Sequence, residues 1–312
     1  MATRITFILG CTGCGKGAVG RELARRLHAE IISTDSMKIY RRMDIGTAKP
    51  EPAIRAEIPH HLIDVVEPSA DFSVAQFVQQ AEAAIAGIHA RSRPVLCVGG
   101  TALYIQSLTT GLFEGPSADA GLRQRLRERA DREGPAALHA ALTRVDPDAA
   151  RRIHPNDLRR IVRALEVFEQ TGMPISRLQT QWGQLRTDLD CRLIGLRRPR
   201  EDQSRRINAR VRRMIDQGLV DEVRALLAEP QPLSHTARQA VGYAEILEHL
   251  QNGLPLEDAV EKIKINTRRL AKAQRTWFKR FPVSDWIDLA PDDDAEAVAG
   301  RLIEAKGVDW WK

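Results

Sequence analysis

Cysteine is scarce in this chain. The 312 residues hold four, Cys11, Cys14, Cys97 and Cys191, too few and too scattered for a secreted disulfide framework. That usage points to a reducing interior. Long apolar runs are also lacking. Residues 5–9 form the longest apolar run near the N-terminus, which is too short for the apolar part of a signal peptide. Residues 94–113 carry no charge, but Gly99, Gly100, Thr101, Gln106, Ser107, Thr109 and Thr110 interrupt them, so a buried strand, a glycine turn and a buried helix are expected rather than a membrane span. No internal repeat or low-complexity tract is present. With 43% hydrophobic and 28% charged residues, the composition excludes disordered and collagen-like chains. The expectation is a soluble, cytoplasmic protein of one large or two ordinary domains, a monomer with no membrane partner.

One local absence is more informative. Residues 262–280 contain no acid and eight cations: Lys262, Lys264, Arg268, Arg269, Lys272, Arg275, Lys279 and Arg280. That segment alone carries +8, whereas the whole chain, with 47 Lys and Arg against 41 Asp and Glu, carries only +6. Residues 151–163 add five Arg against Asp157, a further +4, so the remainder stands near −6. Charge this localised fits a surface that meets a polyanion. Read as a helix, Lys264, Arg268, Lys272, Arg275 and Lys279 form one cationic stripe, while Ile263, Leu270 and Trp277, flanked by Ala271 and Phe278, form an apolar stripe facing a core. A solvated amphipathic helix with no partner is the bland alternative.

Short apolar strands alternate with helical stretches. Residues 4–9 read as a strand, followed by the turn GCTGCGKG (10–17) and a helix with Val19, Leu23 and Leu27 on one face. Strands over 30–33 and 94–98 lead into Thr34-Asp35-Ser36 and Gly99-Gly100-Thr101. This pattern predicts an α/β fold with a parallel sheet, whose ligand sites lie beyond the carboxyl ends of the strands. After Gly115-Pro116-Ser117 the periodicity turns helical. Residues 1–115 are therefore read as the first part of the core, 116–190 as a helical insertion, and 191–312 as the returning core. The last part opens on a strand over 191–196 and closes in an acidic tail with one short helix.

The strongest local signal is Gly10-x4-Gly15-Lys16 between a strand and a helix. Backbone N–H groups of such a loop cradle phosphate oxygens, the helix N-terminus adds its dipole, and the lysine adds a charge. Gly10, Thr12, Gly13, Cys14, Gly15, Lys16 and Gly17 are the candidate phosphate-binding residues. The position after the lysine, normally a metal-binding Ser or Thr, is Gly17, which weighs against ordinary nucleotide hydrolysis; Thr12 offers a hydroxyl within the loop. Cys11 and Cys14 form a CxxC without a second pair or a neighbouring His, so no protein-held metal is expected. Asp35 can bind Mg²⁺ as a Walker-type acid, serve as a general base, or simply cap a following helix, and Thr101 after Gly-Gly can likewise be an ordinary cap.

Together these segments resemble the tRNA dimethylallyltransferase family. The resemblance rests on GCTGCGKG, STDSMKIYRRMDIGTAKP (33–50), HHLID (60–64), DFSVAQF (71–77), VGGTALY (98–104), RIHPNDLRRIVRALEVF (152–168), RRINARV (205–211), RQAVGY (238–243) and TRRLAKAQRTWFKR (267–280). It implies a P-loop NTPase-like sheet with helices on both faces and an all-helical insertion that binds tRNA. The implied reaction moves a dimethylallyl group from dimethylallyl diphosphate to the exocyclic amine of adenosine 37 of tRNA. The resemblance makes Asp35 the base, places Thr101 and Arg123 near the reacting nucleotide, and sets Arg210 with Lys16 on the leaving diphosphate. It assigns the anticodon stem-loop to Asp35, Ser36, Met37 and Lys38, to Arg159, Arg160, Ile161, Val162 and Arg163, to Arg238, Gln239, Gly242 and Tyr243, and to Arg268, Arg269, Lys272 and Arg275. Mg²⁺ would enter through the diphosphate. Gly17, Cys14, Lys38 and Ala102 depart from the usual pattern, and no C-terminal Cys/His zinc finger is present. An adenylate isopentenyltransferase, a small-molecule P-loop kinase and a catalytically silent RNA-binding protein remain as rivals. The cationic stretches favour tRNA over a free nucleotide.

Overall fold

The structure is a computed structural model that describes residues 3–113, 115–179 and 185–311. Two compact units divide the chain: Met1–Thr109 with Arg186–Lys312, and Thr110–Leu185.

The first unit is built on a six-stranded sheet: β1 (Thr3–Gly10), β2 (Glu30–Thr34), β3 (His60–His61), β4 (Val95–Gly99), β5 (Leu189–Arg197) and β6 (Asp285–Asp288). Its order is β3-β2-β4-β1-β5-β6 and every pairing is parallel. The central strand β1 runs alongside β4 (Phe7 opposite Cys97) and β5 (Phe7 opposite Leu193). Both faces of a parallel sheet are covered by helices, so its central strands carry apolar residues at nearly every position. Ile5, Phe7 and Leu9 pack on one face with Ile207, Val211, Ile263 and Phe278. Ile8, Ile31 and Ile194 pack on the other with Val19, Leu23, Leu302 and Trp311. Full burial of each such side chain is worth about 1.5–3 kcal/mol relative to exposure.

The loops that matter follow from this order. β1, β2, β4 and β5 are neighbours, so the turns at their carboxyl ends (11–15, 35–38, 100–101 and 198–199) lie along one edge. A close approach locks two of them. The Gly100 and Thr101 amides both donate to the Thr34 carbonyl, at 3.2 and 3.0 Å. A Cβ on Gly99 would stand 2.3 Å from that same oxygen, so no larger residue fits.

Sequence periodicity located four of these strands. Two were not anticipated: β3 is only two residues long, and β6 (DWID) carries two acids where an acidic tail was expected. β6 is held by the Trp286 ring, which lies where a side chain on Gly195 would project, 2.4 Å from a Cβ there. The long helix Val74–Ala90, opened by a Ser73/Gln76 capping box, was also not anticipated.

The second unit is all-helical among its described residues, with helices Ala120–Glu133, Pro135–Val145, Pro147–Arg152, Leu158–Thr171 and Ile175–Leu178. Leu122, Leu126, Leu138, Leu142, Ile161, Leu165 and Val167 form its core. This compact unit begins at Thr110 and ends at Leu185, whereas the sequence placed the insertion at 116–190; β5 begins at Leu189. Glu166 is fully buried there, yet its oxygens accept from the Asp119 amide (2.8 Å) and Arg163 (2.7 Å), and Arg123 approaches to 2.9 Å. These partners hold its carboxyl below the usual range against the opposing effect of burial. Among the described residues no helix is long and apolar enough to cross a membrane.

Candidate active site

The turn after β1 passes directly into helix Lys16–Leu27, with Gly15 as its N-cap at φ 100°. Gly13 also has a left-handed backbone, φ 83°, which glycine adopts at little steric cost. The Cys14 amide closes the turn on the Cys11 carbonyl at 3.1 Å. The amides of Gly13, Gly15, Lys16 and Gly17 donate to no protein group among the described residues, which leaves a cluster of N–H groups at a helix N-terminus for an anion. Lys16 Nζ reaches toward the turn after β4, 3.6 Å from the point where a Cβ on Gly100 would stand.

Side chains from three other segments clamp the loop. Arg210 Nη2 donates to the Thr12 hydroxyl at 2.7 Å, while its buried Nε has no partner among the described residues. Burial lowers its pKa, opposed by the Asp35 charge. An orphaned guanidinium N–H beside a phosphate loop fits an anionic ligand. Gln203 Nε2 donates to the Thr12 carbonyl at 2.7 Å, and Arg275 Nη1 fixes the Gln203 oxygen at 2.6 Å. Gln274 bridges two loops: its Oε1 accepts from the Thr12 amide at 2.7 Å and its Nε2 donates to the Gly100 carbonyl at 2.9 Å. Arg198 Nε donates to the Cys14 carbonyl at 2.9 Å. A cleft of about 360 Å³ opens beside the loop, lined in part by Cys11, Leu196, Gln203, Phe278 and Trp286. Burial raises the Cys11 thiol pKa, so this cysteine stays protonated near neutrality.

The second cluster lies at the end of β2. Asp35 Oδ1 accepts from the Met37 amide at 3.0 Å, forming a local turn rather than capping a helix. The Thr101 hydroxyl accepts from the Ser36 amide at 2.9 Å and sits 3.2 Å from the Ser36 hydroxyl, tying the β4 turn to the β2 turn. Lys38 is brought down to about 8 by burial, opposed by Asp35 and assisted by the like charges of Lys16, Arg21 and Arg210. Asp35 and Lys38 therefore share one electrostatic environment with Lys16 and Arg210.

Several sequence expectations need correcting. Helix Leu256–Phe278 buries Ile263, Ala271 and Phe278 of the expected apolar stripe, but not Leu270. At about 100° per residue its buried side is centred on Thr267, Ala271 and Phe278, which leaves Ile263 at one margin and turns Leu270 outward, 42% exposed. The cationic stripe lies next to that buried side, so its inner members are already engaged. Lys264 is buried and pairs with Glu261 at 2.6 Å, and Arg268 donates to Asn208 at 2.7 Å. Lys262 is neutralised by Glu248 at 2.8 Å, and Arg280 lies over the Trp277 ring. Arg269, Lys272 and Lys279 remain on the exposed side. Ile161 and Val162 point into the core of the helical unit, and Tyr243 is fully buried with its hydroxyl 2.5 Å from Glu222. These three residues pack in the interior and expose little or no surface. Gly242 turns the chain at φ 100° into helix Tyr243–Asn252.

Within the helical unit Arg123 and Arg163 are held by Glu166, Arg160 pairs with Asp157 at 2.8 Å, and Arg159 is exposed. Arg238 and Gln239 are exposed in the first unit. Sequence reasoning missed Gln203, Gln274 and Arg198. The signal for the two glutamines was an uncharged polar residue on the inner side of a cationic helix. Among the described residues no three His, Cys, Asp or Glu side chains are grouped to hold a metal ion.

Comparison with known proteins adds an independent line. Residues 38–281 match the profile of the family described as IPP transferase. The chain is 45% identical over 301 residues to a protein named tRNA dimethylallyltransferase 2 from Geotalea uraniireducens, covering 96% of both chains. It is 47% identical over 312 residues to a tRNA dimethylallyltransferase of Symbiobacterium thermophilum, covering 99% of this chain and 97% of that one. Among solved structures, the tRNA isopentenylpyrophosphate transferase of Bacillus halodurans matches with a TM-score of 0.68 and 37% identity, over 98% of this chain and 99% of that one. A eukaryotic dimethylallyltransferase acting on tRNA matches with a TM-score of 0.82 and 27% identity, over 97% of this chain and 78% of that one. A parallel sheet carrying a phosphate loop and a match over most of its length place the chain in the IPP transferase family, to which it belongs.

Proposed function

We propose that this chain transfers the dimethylallyl group of dimethylallyl diphosphate to the exocyclic amine of adenosine 37 in tRNA and releases diphosphate. The observation that carries the reading is the convergence on one sheet edge of a carboxylate, Asp35, and a phosphate cradle made of free loop amides, Lys16 and the half-used guanidinium of Arg210.

The chemistry follows from those parts. The bond between the allylic C1 and the diphosphate oxygen breaks with its electron pair going to diphosphate, and C1 bonds to the adenine nitrogen. Negative charge grows on the diphosphate oxygens as this happens. Amides and cations fixed in advance stabilise it, each such donor being worth about 2.7–4 kcal/mol in comparable sites. The amine must shed a proton as the new bond forms, and Asp35 accepts it; a positioned base contributes roughly 10²–10⁴-fold. Its Oδ1 bond to the Met37 amide orients the carboxylate and leaves the other oxygen for the substrate. Thr101 fixes the loop that carries Asp35. The apolar wall of Leu196, Phe278 and Trp286 beside the phosphate loop suits the five-carbon chain. An adenine stacked in the anticodon loop cannot reach Asp35, so the nucleotide is flipped out. Arg159 and Arg160 in the helical unit, with Arg269 and Lys272 on the exposed side of helix Leu256–Phe278, would meet tRNA phosphates.

Mg²⁺ is the cofactor implied for this chemistry. The residues present do not fit a protein-held Mg²⁺: position 17 has no hydroxyl, and Asp35 has no partner carboxylate. Any Mg²⁺ would arrive on the diphosphate.

The test is incubation of radiolabelled dimethylallyl diphosphate with unmodified tRNA, with AMP, or with neither. Label in tRNA alone supports the reading. Label in AMP makes the chain an adenylate transferase, and binding of tRNA without label transfer makes it an RNA-binding protein.

A further inference from the structure

Helix Lys16–Leu27 begins with Lys16, and its second residue, Gly17, has no side chain where a phosphate loop of this pattern carries the Ser or Thr that binds the metal. Something else occupies that place. A Cβ built on Gly17 would lie 3.5 Å from Nη1 of Arg21, one turn further along. Long helical side chains lean back toward the N-terminus, so a residue four positions on covers the preceding turn. The Arg21 guanidinium therefore stands over the spot a hydroxyl would fill. A side chain at position 17 would lie in van der Waals contact with that group, so the guanidinium stands next to the place where the loop's hydroxyl is missing.

Arg21 differs from its neighbours on the same helix. Arg25 pairs with Glu22 and Glu57, and Arg26 pairs with Glu22 and Glu296. Arg21 is half-buried and makes no hydrogen bond or ion pair among the described residues. Burial and the like charge of Arg25 lower its pKa. Its charge also acts on Lys38, together with those of Lys16 and Arg210, and Asp35 is the carboxylate that offsets them. Four cations gathered around one carboxylate and a set of free amides are suited to a ligand with several negative charges. Guanidinium supplies a rigid fork that matches phosphate oxygens in pairs.

We propose that Arg21 takes the place of the loop's metal ion in this chain, binding the donor diphosphate on the Gly17 side so that diphosphate is held without a protein-bound Mg²⁺. This rests on the reading of the loop as a diphosphate site. As the C1–O bond breaks, the electron pair passes to diphosphate, and Arg21 neutralises part of that charge without taking up or giving a proton.

Inorganic pyrophosphate is the probe, titrated calorimetrically into the full chain in EDTA and in excess Mg²⁺. The wild type should bind with affinities that differ by less than about threefold between the two buffers, whereas Arg21→Leu should lose about tenfold or more in EDTA, the usual scale for removing one hydrogen-bonded charge. Arg21→Lys, which keeps the charge but not the fork, should fall between them. A Gly17→Thr, Arg21→Leu double variant, with the hydroxyl restored and the guanidinium removed, should recover binding only when Mg²⁺ is added. Wild-type binding that disappears in EDTA overturns the proposal and needs no variant to show it, as does Arg21→Leu binding unchanged in EDTA. Label transfer to tRNA in Mg²⁺ keeps the two readings apart. If transfer occurs while EDTA abolishes pyrophosphate binding, only the role of Arg21 falls. If neither transfer nor pyrophosphate binding is seen in Mg²⁺, the functional reading falls and takes this one with it.

Discussion

Gln274 gives the sharpest mutational test of how the site is assembled. Its amide holds two loops at once, accepting from the Thr12 amide at 2.7 Å and donating to the Gly100 carbonyl at 2.9 Å. Gln274→Ala removes both bonds. At about 1 kcal/mol net for each neutral hydrogen bond, the loss is about 2 kcal/mol of positioning, or roughly 30-fold in kcat/KM. Labelled-donor transfer to tRNA measures this, with a thermal melt run alongside to separate stability from catalysis. Gln274→Glu is the discriminating variant. It retains the acceptor for Thr12 but puts a negative charge beside the phosphate cradle, so it should be more damaging than Ala. A Cβ on Gly100 would come within 2.4 Å of the Gln274 nitrogen, so Gly100→Ala should reproduce the Gln274→Ala defect from the other side. If Gln274→Ala keeps turnover within about threefold, or if Glu is milder than Ala, the bridge does not position the loop and the reasoning fails.

Three further outcomes follow from the geometry. Arg210→Ala should cut kcat by roughly 100-fold or more, as loss of a preorganised donor to developing charge does, with little change in tRNA affinity by filter binding; an unchanged kcat would remove Arg210 from the diphosphate. Lys38 is held at about 8 against an ordinary 10.5, so between those values the unfolded chain binds the proton and the folded chain does not. Stability contributed by this group therefore rises with pH across that window, and Lys38→Gln should stabilise by about 1–2 kcal/mol near pH 7, a gain that shrinks toward pH 10.5; equal gains at both pH values in denaturant melts would contradict the assigned burial effect. Lys272→Ala should reduce the slope of log tRNA affinity against log salt by about 0.7–0.9, whereas Lys262→Ala, whose charge Glu248 already answers, should leave it unchanged; equal slopes for both variants would refute the distinction.

The parts of the molecule legible in the sequence were those set by strong local rules. β1, β2, β4 and β5 were visible because burial on both faces forces near-continuous apolar runs. The phosphate loop was visible because glycines and a lysine at that spacing, between a strand and a helix, build a cradle of amides that suits little besides an anion. β3 and β6 were not. Two residues of His and the acidic DWID carry no periodicity, and both become strands only because a neighbouring edge is there to pair with. The inner orientation of helix Leu256–Phe278 was also hidden. Two stripes at helical spacing can be rotated by a fraction of a turn without altering the pattern, and only the fold shows that Thr267 and Gln274 face inward while Leu270 faces out. The same rotation separates the exposed Arg269 and Lys272 from cations already committed to Asn208, Gln203 and Glu261. Arg21 left no trace in the sequence beyond the missing hydroxyl at Gly17, because the compensation is a contact between side-chain positions one helical turn apart.

Asp35 is the residue on which the transfer chemistry turns. Single-turnover transfer of labelled dimethylallyl groups to unmodified tRNA, compared for the wild type and Asp35→Ala at equal tRNA occupancy, isolates the proton-accepting step. The variant should bind tRNA and pyrophosphate as the wild type does and transfer at least about 100-fold more slowly, with the wild-type label recovered in the nucleoside from position 37. Near-normal transfer by Asp35→Ala, or wild-type label recovered elsewhere in the tRNA, would contradict it.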